Sequence, residues 1–201
     1  KTAILYQMRN ELLQDKRNHI CIITPVAYEL SGLVSVLTKL KEDAERGYLV
    51  QSIWKYLIYS ELSRSIYLEL KDKPVYYELS KEENDIIYFV DNHKELILED
   101  FSIRLEYVVR RCLNIEQALN ASDTRIKISE MLHDSIISQI RALLIKLLST
   151  KNRVVILIDN LDKSWKRGPN LNDLVDFLLG LLSVSTRISE ELNQKIYKKN
   201  E

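Results

Sequence analysis

Two carboxylates stand three positions apart at the end of an apolar run, Val154-Val155-Ile156-Leu157-Ile158-Asp159-Asn160-Leu161-Asp162. The run is mostly β-branched and lacks polar alternation, which predicts a strand buried on both faces of a parallel sheet. Ligands of open α/β sheets bind outside the carboxyl ends of the strands, and Asp159 stands at that end. A carboxylate there is placed to hold magnesium against nucleotide phosphates, because magnesium takes hard oxygen ligands shared between one or two carboxylates and phosphate oxygens. The plainer alternative is an aspartate that caps the following turn. Asp162 is the nearest second acid. It could orient or activate an attacking water, or it could be an acid stabilised by a helix dipole. Asn160 could position water or contact the terminal phosphate, or serve as a turn residue.

The chain opens Lys1-Thr2-Ala3-Ile4-Leu5. A glycine-rich phosphate-binding loop ends in Gly-Lys-Ser/Thr and runs directly into a helix, its lysine reaching the β- and γ-phosphates and its hydroxyl meeting magnesium. Lys1-Thr2 followed by helix formers is what would remain of such a loop if its glycines were cut away. The dipeptide carries no weight alone; its place, ahead of a helix and a first strand and well before the Asp159 strand, gives it meaning.

These groups need elements to position them. Residues 3–17 predict an amphipathic helix on Ile4, Met8 and Leu12, widened by Leu5 and Leu13. Ile20-Cys21-Ile22-Ile23-Thr24 predicts a short buried strand stopped by Pro25. A helix over 31–46 runs from Ser31 to Gly47 as its stop, and a longer one follows over 48–70 on Leu49, Ile53, Leu57 and Leu62. Pro74 marks a break. Residues 76–120 read as mostly helix, although Ile86 to Val90 fits a strand equally well by periodicity. Residues 124–149 predict one long helix, 153–158 the second strand, and 171–189 a last helix capped by Asn170. The tail from Lys195 is polar and expected to fray.

Bulk properties bound the alternatives. The chain has 201 residues, enough for a real core in one domain over 1–201. The stretch from Thr2 to Asp159 is far longer than a minimal nucleotide-binding core needs, so 45–120 is expected to be a helical insertion. Lys+Arg 29 balances Asp+Glu 29, and no global basicity points to nucleic acid. The 11 tyrosines, interleaved with lysine and arginine, could bind single strands, but their helical spacing favours packing. No run approaches a membrane span. Cys21 and Cys112 are expected to be buried thiols of a cytoplasmic protein. His19, His93 and His133 are scattered and read as structural or exposed.

Taken together, Lys1-Thr2 and Ile158-Asp159-Asn160-Leu161-Asp162-Lys163, with Trp165 close behind, resemble a P-loop NTPase of the AAA-like division. The second stretch is similar to the Walker B motif of KAP and STAND ATPases and of bacterial anti-phage defence proteins. The resemblance covers Lys1 to about Leu30 and Lys151 to about Leu182. It implies an α/β fold, with a P-loop-like parallel sheet flanked by helices. It implies ATP and Mg2+ as cofactors, with Lys1, Thr2 and Asn160 on nucleotide, Thr2 and Asp159 on magnesium, and Asp159 and Asp162 catalytic. It also implies nucleotide-controlled assembly of a homo-oligomer or control of an attached effector or partner protein. The chain departs from the pattern at Asn160, where many relatives place a glutamate that activates water. That departure motivates the alternative of a decayed helical scaffold or oligomerisation domain. Arg153, Arg167 and Arg187 are candidate arginine fingers by proximity only.

Overall fold

The computed structural model describes residues 2–24, 43–101, 103, 104, 106, 107, 136–159 and 171–197, with backbone alone at 43–46, 171–174 and 194–197. Among them the order is α1 (Thr2–Leu12), β1 (Asn18–Ile23), α2 (Asp43–Lys71), α3 (Lys81–Asn92), α4 (Lys94–Ile97), α5 (Ser138–Leu148), β2 (Arg153–Ile158) and α6 (Leu171–Tyr197). The described fold is mixed α/β, mostly helical, around a small two-stranded parallel sheet.

Both apolar runs form strands, and they pair with each other. The register is Asn18 with Arg153 through Ile23 with Ile158. Hydrogen bonds tie both ends. Asn152 N–H donates to the Arg17 carbonyl at 2.9 Å before the strands, and Asp159 N–H donates to the Ile23 carbonyl at 2.9 Å after them. The amide of Asn152 also reaches Asp15 Oδ2 at 2.9 Å. A parallel pair cannot be closed by a tight turn; here the flanking residues fix its register instead.

Helix α2 is the centre of the core. Every residue from Ser52 to Ser63 except Lys55 is buried, so its middle is enclosed all round rather than amphipathic. It packs against β1, α3, α4, α5 and α6. Trp54 stacks on Phe177 of α6 at 4.5 Å between ring centroids and donates its indole N–H to the Phe177 carbonyl at 2.9 Å. The described residues of the interval 45–120 thus include the central helix, together with α3 and α4. Helix α3 opens on a capping box: Ser80 Oγ accepts from Glu83 N–H, and Glu83 Oε2 accepts from Ser80 N–H at 2.8 Å. That box settles Ile86 to Val90 as helix.

Several expectations are corrected. Gly47 does not stop a helix; α2 runs through it from Asp43, because the burial of Leu49, Val50 and Ile53 just beyond outweighs the ~1 kcal/mol cost of an interior glycine. Strand β2 is not buried on both faces: only Leu157 is fully buried, and the other apolar residues are half-buried. Among the described residues β2 has one strand neighbour, and a groove of about 640 Å3 opens beside it against Ile58, Leu62, Ile188 and Leu192. Helix α1 forms, but none of its residues is buried, and Ile4 and Met8 are exposed. Helix α6 continues past 189 to Tyr197. The expected helix over 31–42, most of 124–137, Cys112, His133 and Asn170 lie outside the described residues.

Candidate functional site

Asp159 is the residue that leaves β2 at its carboxyl end. Its backbone is fixed by the bond to Ile23, so its position follows from the strand register rather than from a free loop. The residue is 8% exposed. A carboxylate this close to full burial requires compensation by donors or cations.

Thr2 begins α1 and is exposed. The opposite end of α1 is anchored where β1 begins, since the Asn18 side-chain amide donates to the Leu12 carbonyl at 2.7 Å. Thr2 therefore stands roughly 16 Å of helix away from the start of β1. Lys1, Asn160, Asp162, Lys163, Trp165, Lys166 and Arg167 lie outside the described residues. Of the arginine candidates, Arg153 is exposed at the amino end of β2, a full strand from Asp159. Arg187 lies on α6, where it donates to Gln51 Oε1 at 2.9 Å.

Asp159 and the Thr2 hydroxyl are hard oxygen donors of the kind magnesium accepts. Among the described residues no group of three or more His, Cys, Asp or Glu stands together. A magnesium held by one carboxylate, a hydroxyl and phosphate oxygens needs no such group, so the donor set fits.

Two buried polar centres had no sequence signal. His19 is 2% exposed, and its Nδ1 lies 2.9 Å from Glu69 Oε2. A carboxylate only accepts, so Nδ1 carries the proton in this bond. Lys151 Nζ lies 3.4 Å from the other Glu69 oxygen. The His19 hydrogen bond first, then the nearby cationic charge, holds Glu69 down to about 2. Arg104 is fully buried. It pairs with Glu61 and donates to Ser60 Oγ at 2.7 Å and the Glu99 carbonyl at 2.8 Å. His93 instead stacks on Phe89 and meets its carbonyl, a local helix-end contact. Cys21 is a free buried thiol, pushed up to about 11 by burial, which makes it a core residue rather than a nucleophile. Buried tyrosines act as packing groups: Tyr56 donates to the Leu96 carbonyl at 2.6 Å and Tyr67 to Asp91 at 2.8 Å.

No family model, no curated protein and no solved structure matches this chain. Among the described residues, no helix is long and apolar enough to cross a membrane.

Proposed function

We propose that this chain is the body of a Mg2+-dependent P-loop ATPase, with ATP bound at the carboxyl ends of β1 and β2. The observation that carries the reading is Asp159, nearly buried at the end of a parallel strand and pinned by its backbone to Ile23. The anchoring of Leu12 beside Asn18 is compatible with it, because it ties the far end of α1 to the start of β1 and leaves Thr2 at the opposite end of the helix. In this reading Asp159 and Thr2 hold the metal, Lys1 meets the β- and γ-phosphates, Asn160 contacts nucleotide or water, and Asp162 orients the attacking water. Bound magnesium supplies neutralisation of phosphate charge. The protein's share is positioning and electrostatic stabilisation, which dominate phosphoryl transfer.

Nucleotide state then controls assembly of a homo-oligomer or an attached effector through differential contacts to the γ-phosphate. In this reading, which follows the resemblance of the Asp159 to Lys163 stretch, the activity belongs to the cytoplasm and to bacterial anti-phage defence. The test is equilibrium binding of a fluorescent ATP analogue with and without magnesium. Lys1→Ala should weaken binding under both conditions, and Asp159→Asn should remove the dependence on magnesium. Unchanged binding in both variants would return β2 to ordinary core.

A further inference from the structure

The outer edge of β2 and the groove beside it meet at the same residues. In a parallel ladder successive residues turn their N–H and C=O groups alternately to the two sides. Asp159 N–H goes to the Ile23 carbonyl on the β1 side, so Leu157 and Val155 face β1 as well. Val154, Ile156 and Ile158 turn their peptide groups the other way, and all three line the groove. Among the described residues no strand pairs with that edge. The three residues are half-buried, so water reaches their donors and acceptors only in part. An edge of this kind is a template for a further strand.

The packing leaves room for one. Helix α2 packs on β1, and α6 packs on α2. The groove of about 640 Å3 lies between α6 and β2. Ile58 and Leu62 of α2 and Ile188 and Leu192 of α6 form its apolar wall, and all four are buried. The six-residue edge is about 20 Å long. An apolar wall alone would suit any hydrocarbon. A row of peptide groups at two-residue intervals suits an extended backbone, whose main-chain bonds give affinity while its alternate side chains meet the wall. Charge distinguishes the two ends. Lys151 and Arg153 stand where β2 begins, and no residue lining the groove is acidic. Lys151 answers Glu69 at 3.4 Å, and Arg153 is exposed at the mouth. A carboxylate at the matching end of an incoming segment complements that charge.

We infer that the outer edge of β2 docks an extended segment of a partner protein as a third strand. Apolar side chains at alternate positions lie against α2 and α6, and an acidic residue lies beside Arg153. The inference rests on the edge and the groove and is independent of Asp159 and of nucleotide.

The test uses the full chain and a short synthetic peptide of alternating valine and threonine with aspartate at each end. Fluorescence anisotropy follows binding, and residue-resolved amide hydrogen exchange follows the edge. In the free chain the amides of Val154, Ile156 and Ile158 should exchange at least about tenfold faster than those of Val155 and Leu157, and saturating peptide should remove the difference. A peptide methylated at its backbone nitrogens should not bind. Arg153→Glu should weaken binding severalfold, and a peptide ending in lysine should recover it. Ser189→Trp, at an exposed position of the groove, should block binding without touching the edge. Three results would overturn the inference. Equal exchange of all five amides in the free chain would show that the edge is already paired. No saturable binding of the peptide by the unsubstituted chain would remove the docking site. Equal binding of the methylated peptide would make the groove a slot for hydrocarbon instead of a strand site.

Discussion

His19 Nδ1 lies 2.9 Å from Glu69 Oε2, joining the beginning of the sheet to the last turns of the central helix. The contact ties the amino end of β1 to α2, while the Asp159 to Ile23 bond fixes the carboxyl ends of the strands. The position of Asp159 is thus set by contacts at both ends of a short strand pair.

Glu69 makes that tie sensitive to acid. Its pKa is lowered from 4.5 to about 2, first by the His19 hydrogen bond. A depressed carboxylate contributes stability that is present above its unfolded pKa and lost as pH falls through its folded pKa. Stability should therefore decline between about pH 4.5 and about pH 2. The carboxylate is more than a third exposed, so solvent screening limits the contribution to about 1 kcal/mol. Urea midpoints across this range should fall less steeply in Glu69→Gln. An identical slope in the variant would remove Glu69 from the explanation.

The buried Arg104 and Glu61 pair joins the segment after α4 to the central helix. Removing one partner leaves an uncompensated charge in the core, at a cost of roughly 3–5 kcal/mol. Glu61→Leu should therefore unfold most of a marginally stable domain. Replacing both residues, Glu61→Leu with Arg104→Met, should recover much of that loss, because well-packed apolar groups replace buried ion pairs at little cost. Thermal unfolding of the single and double variants decides the matter. A double variant as unstable as Glu61→Leu would show that contacts of Arg104 other than its pair with Glu61, among them those to Ser60 and Glu99, dominate.

Two helical glycines should respond in opposite directions to alanine. A Cβ at Gly180 would overlap Val50 Cγ1, where α6 crosses the buried face of α2. Gly180→Ala should cost roughly 1–3 kcal/mol by overpacking. At Gly47 a Cβ meets nothing within 4 Å, and Gly47→Ala should stabilise by about 0.5–1 kcal/mol. Paired denaturant curves test both, and a destabilised Gly47→Ala would contradict an α2 that is continuous from Asp43.

The elements that position Asp159 were legible because their signals are local. Ile20 to Ile23 and Val154 to Ile158 are uninterrupted apolar runs, mostly β-branched, and both form strands. Periodicity found α1 but not its surroundings: Ile4 and Met8 define an apolar stripe, and both are exposed. Gly47 misled because a glycine carries a local stop signal whatever follows it, and here Leu49 to Leu70 bury enough surface to override the signal. Nothing local marks His19 for Glu69, Arg104 for Glu61, or Arg187 for Gln51. Those pairs are distant in sequence and exist only once α2 has taken the centre of the core.

The most direct measurement is magnesium-dependent ATP turnover by the full chain beside Asp159→Asn. Loss of the Asp159 charge should lower turnover by roughly 100-fold, while the backbone bond to Ile23 survives the substitution. Turnover in Asp159→Asn equal to that of the unsubstituted chain would contradict the assignment of Asp159 to magnesium. Absence of turnover in the unsubstituted chain, despite magnesium-dependent binding, would make the module a nucleotide-gated scaffold instead of an ATPase.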